Sequence, residues 1–144
     1  MEILIVLAVL AIVIAATIPQ FAKTRENQVL KSGVESILSS IDKARTQTLS
    51  SLNSSAYGVR FESDRVIIFK GTVYSAGASD NETIYITTPA TITNVTLAGV
   101  SGTSGDMYFA RLSGSPSKSG TVTITTPSYS KIITISATGV GSSN

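Results

Sequence analysis

Serine followed three residues later by lysine, the spacing that carries the nucleophile in penicillin-binding enzymes, occurs at Ser40–Lys43, Ser115–Lys118 and Ser128–Lys131. Ser and Thr together make up 40 of the 144 residues, so three such pairs arise cheaply, and none is joined by the companion signatures of those enzymes. Carboxylates come in close pairs at Glu62/Asp64 and Asp80/Glu82, the raw material of acid–base catalysis, but both pairs lie among turn-forming residues where acids are ordinary. Asp80 and Asp106 are the best candidates for a Ca²⁺ ligand, and neither belongs to the dense carboxylate loop that a dedicated site uses. The chain has no His, Cys or Trp. That composition excludes imidazole and thiolate metal sites, Ser–His or Cys nucleophiles, and disulfides. The expectation is a non-enzymatic protein without cofactor or metal.

Other polar motifs point outward from a folded domain. Asn53-Ser-Ser, Asn81-Glu-Thr and Asn94-Val-Thr fit the N-glycosylation pattern, which a Ser/Thr-rich chain also meets by chance. Residues 23–45 hold five Lys/Arg against three Asp/Glu, with no aromatic residue among them to stack on bases. With a net charge of only +2, this stretch reads as the mixed-charge wet face of a helix and argues against DNA binding.

The elements that would position these residues divide the chain in three. From Ile3 to Ala16 every residue is Ile, Leu, Val or Ala, and Thr17 and Ile18 extend the run to Pro19. No polar residue marks a water-facing stripe, so residues 1–22 need lipid or other helices on every side. A signal peptide would carry positive charge before the run, where this chain has Glu2. A simple membrane anchor would hold the head in the cytoplasm, because Lys23, Arg25 and Lys31 follow the run closely. The third possibility is an assembly helix that waits in the membrane and is later buried among copies of itself. An ionised Glu2 beside so apolar a run is costly unless it lies at the headgroup level or pairs with a cation from a neighbouring subunit, in which case it fixes register. Pro19 lacks an N–H and crowds the carbonyl of Ala15, which predicts a bend or local melting there.

Residues 23–52 continue the helix with one apolar face. Leu30, Val34, Ile37, Leu38, Ile41, Ala44, Thr48 and Leu52 recur at three- and four-residue steps. Gly33 weakens the helix without ending it, and the small polar residues from Ser50 to Ser55 compete for its backbone hydrogen bonds. Residues 53–144 then alternate with period two. The predicted strands are Ala56–Phe61, Arg65–Lys70, Thr83–Thr87, Thr91–Leu97, Met107–Leu112, Thr121–Thr126 and Lys131–Ala137, with turns at Glu62–Asp64, Ala76–Asn81, Pro89, Gly99–Gly105, Gly114–Gly120 and Pro127-Ser128. The predicted class is α+β: a long N-terminal helix whose second half packs on an antiparallel β-rich head, with Thr on the wet face.

The stretch Glu2-Ile-Leu-Ile-Val-Leu-Ala-Val-Leu-Ala-Ile-Val-Ile-Ala-Ala-Thr-Ile-Pro19-Gln20-Phe21 resembles the start of bacterial type IV pilins and type II secretion pseudopilins. In that family a basic leader is removed before an aromatic residue, and the apolar helix carries one Glu near its start and a Pro about 17 residues later, the separation of Glu2 and Pro19. In that register Met1 stands at the family's fourth position, and a mid-helix Gly common in the family is Ala11. The head is more loosely similar to H-type pseudopilins and FimT-like minor pilins, through Asn53 to Phe61 with Gly71 and through Ile133-Thr-Ile-Ser-Ala-Thr-Gly139. The Arg residues that flank the final Gly in DNA-binding FimT-like proteins are absent, as is the usual C-terminal cysteine pair.

The resemblance implies a pilin fold and a structural subunit of an extracellular type IV pilus-like filament, single-pass in the inner membrane before assembly. Its implied partners are copies of itself, a prepilin peptidase and the pilus assembly machinery. Glu2, with Met1 beside it, would neutralise the α-amine of the adjacent subunit. The alternatives are a minor pilin or secretion pseudopilin, or a membrane-anchored β-domain that binds DNA or a ligand and never polymerises.

Overall fold

The computed structural model describes Glu2–Asn144, except for the side chains of residues 16–19. Helix α1 runs from Glu2 to Leu49, about 72 Å at 1.5 Å per residue. It is one element across position 19. Met1 and the Pro19 side chain lie outside the described residues, so the expectations attached to them rest on sequence alone. The helix stops two residues before position 51 as Ser51, Asn53 and Ser54 turn left-handed, at φ 51°, 49° and 53°. Ser50 Oγ returns to the Gln47 carbonyl. Small polar side chains thus end this helix without a capping glycine. Leu52, expected on the apolar stripe, sits instead in the short 3-10 turn Leu52–Ser54 and is exposed.

Nine strands follow: β1 Tyr57–Phe61, β2 Arg65–Lys70, β3 Glu82–Tyr85, β4 Thr91–Leu97, β5 Val100–Gly102, β6 Gly105–Tyr108, β7 Gly120–Thr125, β8 Ser130–Ile135 and β9 Gly141–Ser143. They form two antiparallel sheets, ordered β3-β2-β1-β6 and β5-β4-β7-β8-β9, and α1 packs on both. The architecture is therefore the α+β arrangement that the periodicities predict. Leu30, Val34, Ile37, Ile41 and Ala44 of the helix join Val59, Phe61, Ile68 and Met107 of the first sheet and Ile92, Val122, Ile124, Ile133 and Ile135 of the second in a single core. Thr48, also fully buried, is satisfied on both sides: its hydroxyl donates to the Ala44 carbonyl and accepts the Tyr57 N–H at 2.9 Å, tying the end of the helix to β1.

The structure departs from the predicted strands most at three places. Strand β5 lies inside the stretch read as a turn from Gly99 to Gly105, and β9 lies in the C-terminal tail. Both are three-residue edge strands whose Gly and Ser residues carry no β-pattern. The strand expected at Met107–Leu112 ends at Tyr108. Phe109 forms only a single bridge to Pro116, and Leu112 turns left-handed at φ 73°. The two sheets also differ in their outer faces. The second has the expected wet face rich in Thr and Ser, with Ile132 also exposed on β8. In the first, four consecutive residues of β2, Val66–Phe69, are buried. The segment after Gly71 carries Tyr74 back over that face, where its ring meets Phe69 edge-on at 5.6 Å between centroids.

Two glycines permit close approaches, one between helix and sheet and one between paired strands. A Cβ on Gly33 would lie 2.5 Å from Ile124 Cδ1, so the glycine that weakens α1 lets it settle onto β7. A Cβ on Gly120 would lie 1.9 Å from the Thr96 carbonyl oxygen, a backbone atom of the paired strand that cannot swing aside. Gly120→Ala is expected to destabilise the head by about 1–3 kcal/mol. Gly77→Ala, where nothing lies within 4 Å, should be neutral or slightly stabilising. Urea unfolding of the two variants checks this; equal midpoints would contradict the close strand approach.

Candidate functional site

The largest unsatisfied surface is the first half of α1. Every described residue from Glu2 to Ala15 is exposed, and so are Gln20–Arg25; the first half-buried side chain is Glu26 and the first buried one Leu30. Ile3 is 76% exposed and Ile12 69%, on a helix whose most apolar 18-residue window has a mean hydropathy of 2.7. By length and composition α1 can cross a membrane. Its apolar residues cover the whole circumference, whereas a soluble helix confines them to a stripe. The one acid of this segment, Glu2, stands exposed in the first turn, where the partial positive charge of the helix N-terminus favours a carboxylate.

The rod enters the head at a defined collar. The Glu26 carboxylate accepts the Ser128 N–H at 3.1 Å, from the turn between β7 and β8. That turn is itself closed by the Thr126 N–H donating to the Tyr129 carbonyl at 2.7 Å. Ala22, Arg25 and Glu26 also share a hollow of about 400 Å³ with Thr88 and Pro89. Two loops from distant parts of the sequence thus reach the helix at the height of residues 22–26. Sequence reasoning missed this collar. Pro89 and Pro127-Ser128 were visible as turns, but nothing in their composition says which end of the head they reach.

The residues singled out for chemistry are placed apart. Ser40 is buried and its hydroxyl donates to the Ser36 carbonyl, while Lys43 forms an ion pair with Glu82. Lys118 reaches the Asp106 carbonyl, and Ser128 offers its backbone N–H to Glu26. None of the three Ser–Lys spacings therefore brings an amine to a hydroxyl. Glu62 and Asp64 are held by guanidinium groups: Arg65 Nε lies 3.0 Å from Glu62 and 3.1 Å from Asp64, and Arg60 bridges Glu62 at 3.2 Å and Asp106 at 3.4 Å. Asp64 raises the Arg65 pKa above its ordinary value, chiefly by charge attraction. Arg60 also lies 4.7 Å over the Tyr74 ring. This ion-pair network stitches the outer face of the first sheet. Among the described residues no group of three or more acidic side chains converges on a metal-sized site.

The sequon asparagines differ in access. Asn94 is exposed on β4 at a shift in its register with β7. Asn53 is exposed in the turn after α1, and its amide donates to the Tyr57 hydroxyl at 3.3 Å. Asn81 is half-buried with its amide nitrogen donated to the Ser75 carbonyl at 2.7 Å, which leaves it the least open of the three to a transferase. No family model, curated protein or solved structure matches this chain.

Proposed function

We propose that this chain is a structural subunit of a type IV pilus-like filament, inserted in a membrane before assembly and built into the fibre through residues 2–22. The observation that carries the reading is the division of α1 into two halves with opposite surfaces. The second half lays one apolar face into the core of the head; among the described residues of the first half, apolar all round, none joins that core. A domain stabilised by its own fold has no use for such a rod, and a bundle of identical rods satisfies it on every side. Lipid to bundle transfer gains little from the hydrophobic effect, so side-chain packing and an assembly motor must drive it. Glu2, at the tip of the rod, sets register by pairing with the α-amine of a neighbour.

Glu2→Leu is the direct test. The variant is expected to remain in the membrane fraction and to disappear from filaments sheared off the cell surface, with the wild-type chain present in both. Normal filaments from the variant would remove the register role. A wild-type chain that never enters the sheared fraction would remove the filament reading and leave the membrane-anchored head. The amount of the chain in those filaments separates a major from a minor subunit.

A further inference from the structure

We infer that the underside of the head is a lipid-contact surface, on which the subunit rests against anionic phospholipid headgroups while its rod is in the membrane. The inference rests on the membrane-resident state of the proposed function and adds to it a partner for the head. Ile3 to Ala22 is 20 residues, about 30 Å of helix, the thickness of the hydrocarbon layer. With Glu2 at one boundary, the other falls at Ala22. Phe21 is 75% exposed at that level, the depth at which aromatic rings anchor, and Lys23 and Arg25 follow within one turn, at headgroup depth.

The head reaches down to the same height. Thr88 and Pro89 share their hollow with Ala22 and Arg25, and Ser128 is bonded to Glu26, whose side chain points back toward the rod as helical side chains do. Both loops therefore meet the plane of the phosphates. The charge balance there is positive. Glu26, the one acid of the collar, is engaged by the Ser128 N–H, while Lys23 and Arg25 remain to face phosphate.

The chain contains no cysteine, so single labels are unambiguous. Full-length Thr88→Cys, Ser128→Cys, Leu112→Cys and Ile12→Cys, each carrying a fluorophore, are reconstituted in vesicles of phosphatidylcholine with or without phosphatidylglycerol. Quenching is read with nitroxide on the headgroup and on the acyl chain. Leu112 is the distant control: its loop packs near the helix end, with the Gly114 carbonyl accepting from Arg45 Nε, about 30 Å further along the axis than Arg25. The expected result is loss of most of the fluorescence at 88 and 128 with headgroup nitroxide, little loss at 112, and acyl-chain quenching at 12. Quenching at 88 and 128 should weaken without phosphatidylglycerol and in the Lys23→Gln/Arg25→Gln variant. Quenching at 88 and 128 no stronger than at 112, with position 12 quenched from the acyl chains, overturns the contact and leaves the inserted rod standing. Absence of quenching at 12 overturns both. Equal quenching at 88 and 128 in the two vesicle types overturns the preference for anionic lipid.

Discussion

Deleting residues 2–25 is expected to turn a protein that needs detergent into a soluble, monomeric head of residues 26–144 with its fold intact. Ten Ile, Leu and Val residues between Ile3 and Ile14 are exposed on the rod. At about 1.5–3 kcal/mol for each side chain kept from water, they represent on the order of 15–30 kcal/mol of unsatisfied burial. That exceeds the roughly 5–15 kcal/mol that holds a typical domain folded, so in water the rod must find a cover. The deletion removes this demand and leaves the core untouched, since Leu30 is the first buried residue among those described and Glu26, retained, still accepts the Ser128 N–H. Size-exclusion chromatography with light scattering, with and without detergent, reads the outcome. A full-length chain that ran as a monomer without detergent would sink the assembly reading. A truncated chain that aggregated or failed to show a cooperative melt would show that the rod belongs to the fold.

The second large effect concerns the same chemical deletion made at the two ends of one helix. Ile37 is fully buried where α1 faces both sheets. Ile37→Ala removes three carbons from a close-packed site and is expected to cost about 2–5 kcal/mol of head stability. Ile5, 63% exposed on the rod, touches none of that core, and Ile5→Ala should shift head stability by less than about 0.5 kcal/mol. Denaturant midpoints in detergent, compared at unchanged slope, measure both. A comparable loss from both variants would mean that the two halves of α1 unfold as one cooperative unit with the head, and the separation of roles proposed here would fail.

Much of the architecture was legible before any coordinates because it rests on local patterns. The three- and four-residue recurrence from Leu30 to Thr48 marks the face that is buried, and the alternation of Val122 and Ile124 with Thr121, Thr123 and Thr125 marks which side of β7 meets the core. Helix termination was readable from Ser50–Ser55 for the same reason, since the competing hydrogen bonds are made within a few residues. The misread segments are those whose conformation is imposed from elsewhere. Strands β5 and β9 exist because β4 and β8 offer them an edge, and their own residues would accept a turn equally well. Burial of both faces of β2 depends on Tyr74 arriving from the next loop, and the bridge from Arg60 to Asp106 depends on β6 pairing beside β1.

The sequence by itself determined that the first third of the chain is a rod with two characters. Helical periodicity and the absence of polar residues are properties of consecutive side chains, and no fold can supply a water-facing stripe that the residues lack. Only the tertiary structure decided where the rod leaves the head. That boundary lies at Glu26 because two loops, one before β4 and one between β7 and β8, converge there from positions more than sixty residues away. The meeting of such distant segments is fixed by how two sheets and a helix pack around one core, which no local pattern encodes.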